Sequence, residues 1–510
     1  MGDEVFTDTE IGSTTKYPKQ SDEQKYRPEE DVEIDQGFVA KLQRFTGKYG
    51  VEQRGIEPVL ANERTDTTVL RVGTLWFACN ICLSSFAIGI LAVPAFGLGF
   101  VDGLLVIFFF NVLGILPVCF FSTLGARFGM RQMVLSRFYF GYYGVKLAAL
   151  LNSFACLGWS AINVIVGAQL IHAVNDDFPG WAAIVMIGSA AFIVSLFGYN
   201  VVHIFESYCW IPTFIVFMVI LGMFAHSGDF EDLPMKSGTL EAASVLSFAS
   251  AVFGFATAWA TISADYCVYQ PVTVSRKKIF FTVFCGMCLA LIFTQSLGLA
   301  IATATANNPA YAAAYNDNHI GGLLAHVLFH RLGSFGKFCL VVLALSIIGN
   351  NCPNMYSLGF CLQILHSQTQ RVPRYVWSFA GSLVYIGVAI PGYSRFEDVL
   401  ESFMLIIGYW SAIYEGISLG EHIVFRRGTS GYNVVDYDTP SKLPPSFASV
   451  GAFSCGVVGV ALGMSQRWFI GPVAKIIDGS GADIGFELAF GFTFASYIIF
   501  RRIERRHFKR

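Results

Sequence analysis

A proline and three carboxamides interrupt the apolar stretch LALSIIGNNCPNMYSLGF. The amides of Asn350, Asn351 and Asn354 are costly to bury without hydrogen bonds, and Pro353 removes a backbone donor. Asn350 and Asn354 are four residues apart and share a helix face, whereas Asn351 points about 100° away. The pattern favours a cavity lined by amides. Structural hydrogen bonding between helices is the alternative.

Polar and aromatic residues in other apolar segments could contribute to the same site. Trp159 and Asn163, in LGWSAINVIVGAQ, are four apart and lie on one helix face. Trp259 follows the small residues of GFATAWATISADY. Ser84 and Ser85 lie in SSFAIGIL, where a serine commonly bonds its own helix backbone. Packing and local bonding are therefore the alternatives to a binding role.

Two acidic residues also lie in apolar surroundings. Glu206, in VVHIFESYCWIP, is an ionisable residue inside a candidate membrane span, which favours a functional role over snorkelling to the interface. Asp265 lies near the end of its segment and could cap or anchor a helix. No Ser–His pair or pair of aspartates falls at midplane depth, so we do not expect an enzyme.

The composition predicts a polytopic membrane protein. Of 510 residues, 54% are hydrophobic and 14% are charged, whereas a soluble chain of this size needs more surface charge. The net charge of −2 gives no support to nucleic-acid binding. The CNIC motif at Cys79 and Cys82 is interpreted as packing, since no second pair accompanies it. No metal or bound cofactor is expected.

Twelve apolar segments are long enough to cross a membrane, since each crossing needs about 20 residues. The sequence therefore predicts an all-α protein with twelve transmembrane helices. Their expected starts lie near Val72, Gly103, Val145, Trp181, Val202, Ala243, Lys278, Phe338, Tyr375, Val399, Ser449 and Ile484.

The distribution of Lys and Arg predicts that both termini are cytoplasmic. Even-numbered loops carry the positive charge: Arg127, Arg131, Arg137 and Lys146 after helix 2; Arg276, Lys277 and Lys278 after helix 6; Arg371 and Arg374 after helix 8; Arg426 and Arg427 after helix 10. The loops NDDFPG, HSGDFEDLP and NNPAYAAAYNDN are acidic or neutral. Arg467 and Lys475, after helix 11, are the one contrary signal.

Four regions follow from this pattern. Residues 1–71 form a cytoplasmic tail, in which 1–35 are polar, predicted to be disordered and unlike a signal peptide, and 37–49 could form an amphipathic helix against the membrane. Residues 72–426 hold ten of the helices and form the core. Residues 427–502 hold a cytoplasmic loop with helices 11 and 12, and 503–510 form a basic cytoplasmic C-terminus.

Helices 1 and 6 show a weak internal similarity. SSFAIGIL and FGFATAWA both place Phe-Ala among small residues, where the backbone can unwind. These helices are equivalent if helices 1–5 and 6–10 repeat with inverted topology. Paired interrupted helices point to a transporter site at the bilayer midplane. Coincidence between helices rich in small residues is the alternative.

Three longer strings carry a family resemblance: RGIEPVLANERTDTT, GFATAWATISADYCVYQP and GNNCPNMYSLG. They resemble the nucleobase cation symporters of the first type, and among these the fungal purine-cytosine permeases, over nearly the whole chain. The resemblance implies a LeuT-like core of two inverted five-helix repeats plus two C-terminal helices. It also implies a proton-coupled importer of cytosine and purines (adenine, guanine and hypoxanthine) at the plasma membrane.

The resemblance places the substrate between helices 1, 3, 6 and 8. Two aromatic residues would sandwich a planar ring, amides would bond its edge and a serine would reach its rim. The matching residues are Trp159 and Trp259; Asn163 and Asn354, with Asn350 and Asn351 close by; and Ser85. Stacking is worth about 1–3 kcal/mol per base, and a carboxamide offers both a donor and an acceptor. Pro353 would loosen its helix so that the backbone can turn towards the cavity.

One departure concerns coupling. Sodium-coupled relatives place hydroxyl residues just before the helix-8 amides, where this chain has Ile348 and Gly349, with Ser346 the nearest hydroxyl. Proton coupling is therefore expected, with a co-transported proton and Glu206 as the leading carrier.

Two alternatives stay open. The chain could carry another small ring, such as allantoin, uracil, a nucleoside or a vitamin. It could also be a nutrient sensor, although its short tail argues against that. The expected partners are nucleobases and the lipid bilayer. The sequence leaves the oligomeric state open.

Overall fold

The computed structural model describes residues 38–509, with side chains described for 43–394 and 400–509. The predicted disordered tail at 1–35 lies outside these residues. The described chain begins with α1 (Phe38–Lys48), the short helix expected near this point. Residues 49–68 then pack beneath the helices, with Val51, Ile56 and Val59 buried.

The other helices follow in the predicted order. They are α2 (Val69–Asn80), α3 (Leu83–Leu91), α4 (Phe100–Phe128), α5 (Gln132–Val174), α6 (Gly180–Phe197), α7 (Tyr199–Tyr208), α8 (Trp210–Ser227), α9 (Gly238–Thr257), α10 (Arg276–Asn307), α11 (Pro309–Leu332), α12 (Ser334–Leu365), α13 (Ser367–Arg371), α14 (Arg374–Gly392), α15 (Phe396–Gly420), α16 (Phe447–Gly463), α17 (Pro472–Ile477) and α18 (Gly485–Phe508). A hairpin of β1 (Ser465–Gln466) and β2 (Phe469–Ile470) pairs Ser465 with Ile470.

A helix lies at each of the twelve expected starts. Within the described residues, nine helical segments are long and apolar enough to span a membrane, and the bent pair α2 and α3 makes ten. The expected helices 11 and 12 are α16, which is shorter, and α18. Their crossing of the bilayer, and thus the count of twelve, stays a prediction.

Two boundaries differ from expectation. Helix 3 begins at Gln132 rather than near Val145, so Arg137 and Lys146 are helical rather than in a loop. Its 43 residues bend at Gly141, where φ is 80° and an added Cβ would collide with the Pro444 carbonyl. The expected loop NNPAYAAAYNDN is largely helical, because it forms the first half of α11.

The expected interruptions of helices 1 and 6 are present. Helix 1 breaks at Ile81 and Cys82, just before SSFAIGIL. The chain bends by 52° there, between the halves α2 and α3. Helix 6 changes after Thr257 from α9 into two 3₁₀ turns, Ala258–Thr261 and Ser263–Tyr266. Both halves of helix 1 pack against α12, and α12 packs along α5, so the breaks lie beside the helix that carries the three amides.

Glu52 joins the N-terminal segment to the helix ends above it. Its carboxylate accepts hydrogen bonds from Arg131 Nη2 at 2.9 Å, the Tyr269 hydroxyl at 2.9 Å, the Tyr356 hydroxyl at 3.0 Å and the Tyr199 N–H at 2.9 Å. Burial opposes the charge of Glu52, but nearby Arg131 and Arg374 and these hydrogen bonds hold its pKa below the usual value. The segment is thus tied to four separate elements through one side chain.

Candidate functional site

Asn163 of α5 is the centre of a buried hydrogen-bond cluster. Its Nδ2 donates to Asn350 Oδ1 at 2.6 Å and to Asn351 Oδ1 at 2.7 Å. Its Oδ1 accepts from Ser84 Oγ at 2.6 Å. Asn351 Nδ2 in turn donates to the Ser160 carbonyl at 3.3 Å. One amide therefore connects helices 1, 3 and 8 at the level of the helix-1 break.

The same cluster satisfies backbone groups that the helix-1 break leaves unpaired. Asn350 Nδ2 donates to the Cys79 carbonyl at 2.6 Å. Asn80, the last residue before the break, accepts from Trp259 Nε1 at 3.0 Å and donates to the Trp76 carbonyl. The two interrupted helices are thus joined directly through Asn80 and Trp259. A freed carbonyl in an apolar interior needs such partners.

A narrow cavity lies beside this cluster, between helices 3, 6 and 8. Its lining residues are Asn152, Ala155, Cys156, Trp159, Phe255, Ala258, Trp259, Thr261, Ile262, Asn350 and Asn354. Trp159, Trp259 and Asn354 are 7%, 6% and 4% exposed, so solvent has little access to the polar lining.

Two indole rings form part of the cavity wall, and other aromatic residues hold each of them. Trp159 lies edge-on against Phe255 and Phe403, with ring centroids 5.1 and 5.6 Å apart. Trp259 lies edge-on against Trp76 at 5.5 Å. Trp159 Nε1 is buried and has no hydrogen-bond partner. Fixed rings of this kind suit the stacking of a flat ligand.

Asn354 brings an uncommitted acceptor to the cavity. Its Nδ2 donates to the Asn350 carbonyl at 3.1 Å, one turn earlier, and its Oδ1 accepts no hydrogen bond from any described residue. Asn152, by contrast, accepts from Thr261 Oγ1 at 2.6 Å and donates to Cys361 Sγ at 3.2 Å. Of the amides in this lining, Asn354 is the one with a free carbonyl oxygen.

The structure separates the predicted site residues into two groups. Trp159, Trp259, Asn350 and Asn354 line the cavity. The others lie outside its lining: Asn163 and Asn351 belong to the buried cluster, and Ser85 lies 3.6 Å from Cys82 Sγ.

Pro353 lies within a helix that continues through it, so its expected loosening of the helix stays a prediction. Helix α12 is continuous from Ser334 to Leu365, and the Pro353 carbonyl accepts from the Tyr266 hydroxyl at 2.7 Å. That bond links helix 8 to the second 3₁₀ turn of helix 6. The proline therefore lies at a contact between helices rather than at a bend towards the cavity.

Glu206 is fully buried in α7 and does not snorkel. Its Oε2 accepts from Cys209 Sγ at 3.3 Å, and its Oε1 has no partner. The carboxyl packs against Gly349, where an added methyl group would lie 3.2 Å from Oε2. Glu206 therefore contacts α12 directly before Asn350, outside the cavity lining.

Asp265 caps a helix, but not its own. Its Oδ1 accepts from the backbone N–H of Gln132, the first residue of α5, at 2.7 Å. Ser346 Oγ accepts weakly from the Leu83 N–H at 3.4 Å, beside the helix-1 break.

The sequence interpretation missed Asn152, Thr261 and Asn80. Asn152 lies two helical turns before Trp159 and therefore on its face, a spacing that could have indicated it. The pairing of Thr261 with Asn152 joins residues 109 positions apart and has no local signal. In the sequence Asn80 is indistinguishable from any polar residue near a helix end, and its contacts with Trp259 and Trp76 are visible only in the structure.

A cavity lined by one interrupted helix and two continuous ones, beside the break of a second interrupted helix and inside a bundle of apolar spans, is typical of a membrane carrier. A family model described as a permease for cytosine/purines, uracil, thiamine and allantoin matches residues 58–478. The chain belongs to this permease family.

Curated relatives match almost end to end. The chain is 52% identical over 484 residues to purine-cytosine permease fcyB of Emericella nidulans, covering 95% of this chain and 94% of that protein. It is 41% identical over 472 residues to purine-cytosine permease FCY2 of Saccharomyces cerevisiae, covering 92% and 89%. Vitamin B6 transporter TPN1 of Saccharomyces cerevisiae is 29% identical over 525 residues, covering 92% and 90%.

The fold also matches a solved transporter. Mhp1, a nucleobase-cation-symport-1 family transporter in a closed conformation with bromovinylhydantoin bound, superposes with a TM-score of 0.67 at 14% identity, covering 89% of this chain and 96% of that one. The inward-facing conformation of Mhp1 gives 0.66, also at 14% identity, covering 90% and 96%. The expected family, the LeuT-like fold class and the non-enzymatic, multi-pass character are confirmed.

Proposed function

We propose that this permease is a proton-coupled symporter that imports cytosine and purine bases across the plasma membrane, with both termini in the cytoplasm. The observation that carries the proposal is the cavity beside the two tryptophans. Trp159 and Trp259 give this cavity flat aromatic walls, and Asn350 and Asn354 add amides to its lining, which are the groups that a planar heterocycle with polar edges needs. The names of the relatives that share more than 40% identity supply the substrate class.

One unpaired polar group of the lining suits the edge of a nucleobase. Asn354 Oδ1 is an acceptor without a partner among the described residues, which an exocyclic amino group can satisfy. Cytosine and adenine carry such an amino group, whereas uracil does not. The arrangement therefore favours cytosine over uracil.

Proton coupling through Glu206 rests on its place in the structure. A buried carboxylate without a cationic partner is costly, so a carboxyl in such a place readily exchanges a proton when its surroundings open to water. Glu206 packs on Gly349, the residue before Asn350, so its protonation can influence the helix that carries the amides. The positions Ile348 and Gly349 offer no side-chain oxygen for sodium.

The test is uptake of labelled cytosine into yeast cells that lack their own base permeases. We expect uptake to rise as external pH falls, to be abolished by a proton uncoupler and to be unchanged when sodium is removed. Glu206→Gln should weaken uptake or its pH dependence. Loss of uptake in sodium-free buffer would contradict proton coupling, and tenfold preference for uracil would contradict the assignment of Asn354.

A second substrate class has one observation in its favour. The relative named as a vitamin B6 transporter is 29% identical over nearly the full chain, and the family description includes uracil, thiamine and allantoin. Pyridoxine, uracil and allantoin therefore belong in the competition panel. If one of these competes better than cytosine and adenine, it replaces the bases as the substrate.

A further inference from the structure

Helix α15 contacts both aromatic walls of the cavity. Phe403 packs against Trp159, with ring centroids 5.6 Å apart. Twelve residues later, Glu415 accepts a hydrogen bond from Thr257, the last residue before the 3₁₀ turn that carries Trp259. A displacement of α15 therefore acts on Trp159 and on Trp259 together.

Glu415 is a second buried acidic residue with no cationic partner. Its side chain is 3% exposed, and the Thr257 hydroxyl is its hydrogen-bond partner. No Lys, Arg or His forms an ion pair with it among the described residues. Ser411, one turn earlier on the same face, is fully buried, and its hydroxyl has no partner. Burying two neighbouring polar groups in an apolar contact between helices costs free energy unless water hydrogen-bonds to them or the carboxyl is protonated.

Polar contacts of α15 lie on both sides of Glu415. Towards the start of α15, Asp483 accepts from Ser250 at 3.0 Å and from the Tyr409 hydroxyl. Tyr409 is about 9 Å from Glu415 along the helix axis, from the rise of 1.5 Å per residue. On the other side, Tyr414 accepts from Gln132 Nε2 at 2.7 Å, and Asp265 caps the same residue. We call the contact between α9 and α15 the seam. Its ionisable groups are Glu415 and Asp483, with Glu487 of α18 beside Asp483, whereas Asp265 reaches α15 only through Gln132.

We propose that Glu415 is a proton-carrying residue of the transport cycle, acting along this seam between helices 6 and 10. In its neutral form the carboxyl keeps Thr257 and α15 together, and both tryptophans stay in place around the cavity. Loss of the proton leaves a carboxylate that must be hydrated, which separates α15 from α9 and loosens both walls. Proton binding thereby favours base binding. This inference rests on the proposed proton-coupled transport and adds a second carboxyl to Glu206.

The experiment compares Glu415→Gln with the wild type in yeast cells that lack their own base permeases, with surface protein measured. Glutamine keeps an acceptor for Thr257 but cannot release a proton. We expect it to support exchange of internal for external cytosine at equal pH to at least half the wild-type rate. Its accumulation ratio should fall to about 1. Its KM should be independent of pH, whereas the wild-type KM should rise up to tenfold per pH unit once the carboxyl ionises.

Matched variants make the result decisive. Glu401→Gln changes the same residue type on the same helix, but Glu401 pairs with exposed Arg467 outside the seam, so accumulation and pH profile should be unchanged. Thr257→Val should shift the pH at which KM begins to rise, and Thr257→Ser should restore the wild-type profile. These two variants decide the question if Glu415→Gln does not reach the membrane, and an unshifted Thr257→Val profile would then overturn the proposal.

Two further results would also overturn it. One is concentrative uptake by Glu415→Gln with the wild-type pH profile. The other is loss of concentrative uptake in Glu206→Gln while Glu415→Gln still concentrates cytosine. If cells that express the wild-type permease take up no base at any pH, the proposed function is wrong instead. Failure of the proposed function is therefore distinguishable from failure of the Glu415 proposal.

Discussion

Replacing Asn354 with alanine should weaken base binding while leaving the fold intact. Among the described residues Asn354 makes one side-chain hydrogen bond, to the Asn350 carbonyl at 3.1 Å, and it lines the cavity with its carbonyl oxygen unpaired. Losing one partner of a buried hydrogen bond costs about 1–3 kcal/mol, which corresponds to about 5- to 150-fold in affinity. We expect the KM for cytosine and the inhibition constant for adenine to rise within this range.

The ranking of bases should change as well. Cytosine and adenine carry an exocyclic amino group that can donate to Asn354 Oδ1, whereas hypoxanthine and uracil do not. The alanine variant should therefore lose more affinity for the first pair than for the second. The assay is competition of unlabelled bases against labelled cytosine, with surface protein quantified for each variant.

Asn351→Ala is the control. Asn351 lies outside the cavity lining and makes two buried hydrogen bonds, with Asn163 and with the Ser160 carbonyl. Its loss should lower the free energy of unfolding by about 1–3 kcal/mol and reduce surface protein, with little change in base ranking. If Asn354→Ala keeps wild-type affinity and ranking, or if Asn351→Ala alone alters the ranking, our account of the amides is wrong.

Three other predictions concern the walls, the N-terminal segment and the topology. Trp259→Ala should weaken all bases alike, by up to the 1–3 kcal/mol or so of one stacking contact, because stacking does not read the ring edge; unequal losses in the competition panel would contradict this. Glu52→Gln should lower the melting temperature of purified protein, since Arg131 and Arg374 lose their buried anion. Because the pKa of Glu52 is lowered, its stabilisation is present above the usual glutamate pKa and is lost only as pH falls through the lowered value. The difference in melting temperature should thus be constant from pH 6 to 8, and a difference that vanishes within this window would refute the assignment. Epitope tags at both ends should be protected from protease in intact cells, and a tag cleaved from outside would reverse the proposed orientation.

The sequence predicted the parts of the fold that depend on local pattern. Apolar length located the helices, and small-residue runs indicated the interrupted ones. It did not reveal α11, because PAYAAAYNDNHIGG has neither the apolar length of a span nor a clear amphipathic stripe.

The candidate site was predictable by residue type but not by role. Amides in an apolar run indicated a polar centre. Which amides line the cavity and which only bond other side chains depends on partners far away in the sequence. Asn163 bonds residues 79, 187 and 188 positions away, which no local pattern encodes. Glu415 and Glu52 were missed for the same reason, because the role of a buried carboxyl depends on the residues that pack against it.

The bond between Asn350 and the Cys79 carbonyl bears on how such a carrier could acquire a new substrate. Asn350 and Asn163 each make two or more buried hydrogen bonds. A single substitution at either residue breaks them together, so it lowers the stability of the fold before it alters selectivity. Asn354 makes one internal bond, and Phe255 and Cys156 line the cavity with apolar atoms. We therefore expect single mutations that retain stability to be concentrated at these three positions, which we call the rim. Diversification of substrate range in a chain of this design would therefore begin at the rim and reach the hydrogen-bonded centre only through paired substitutions.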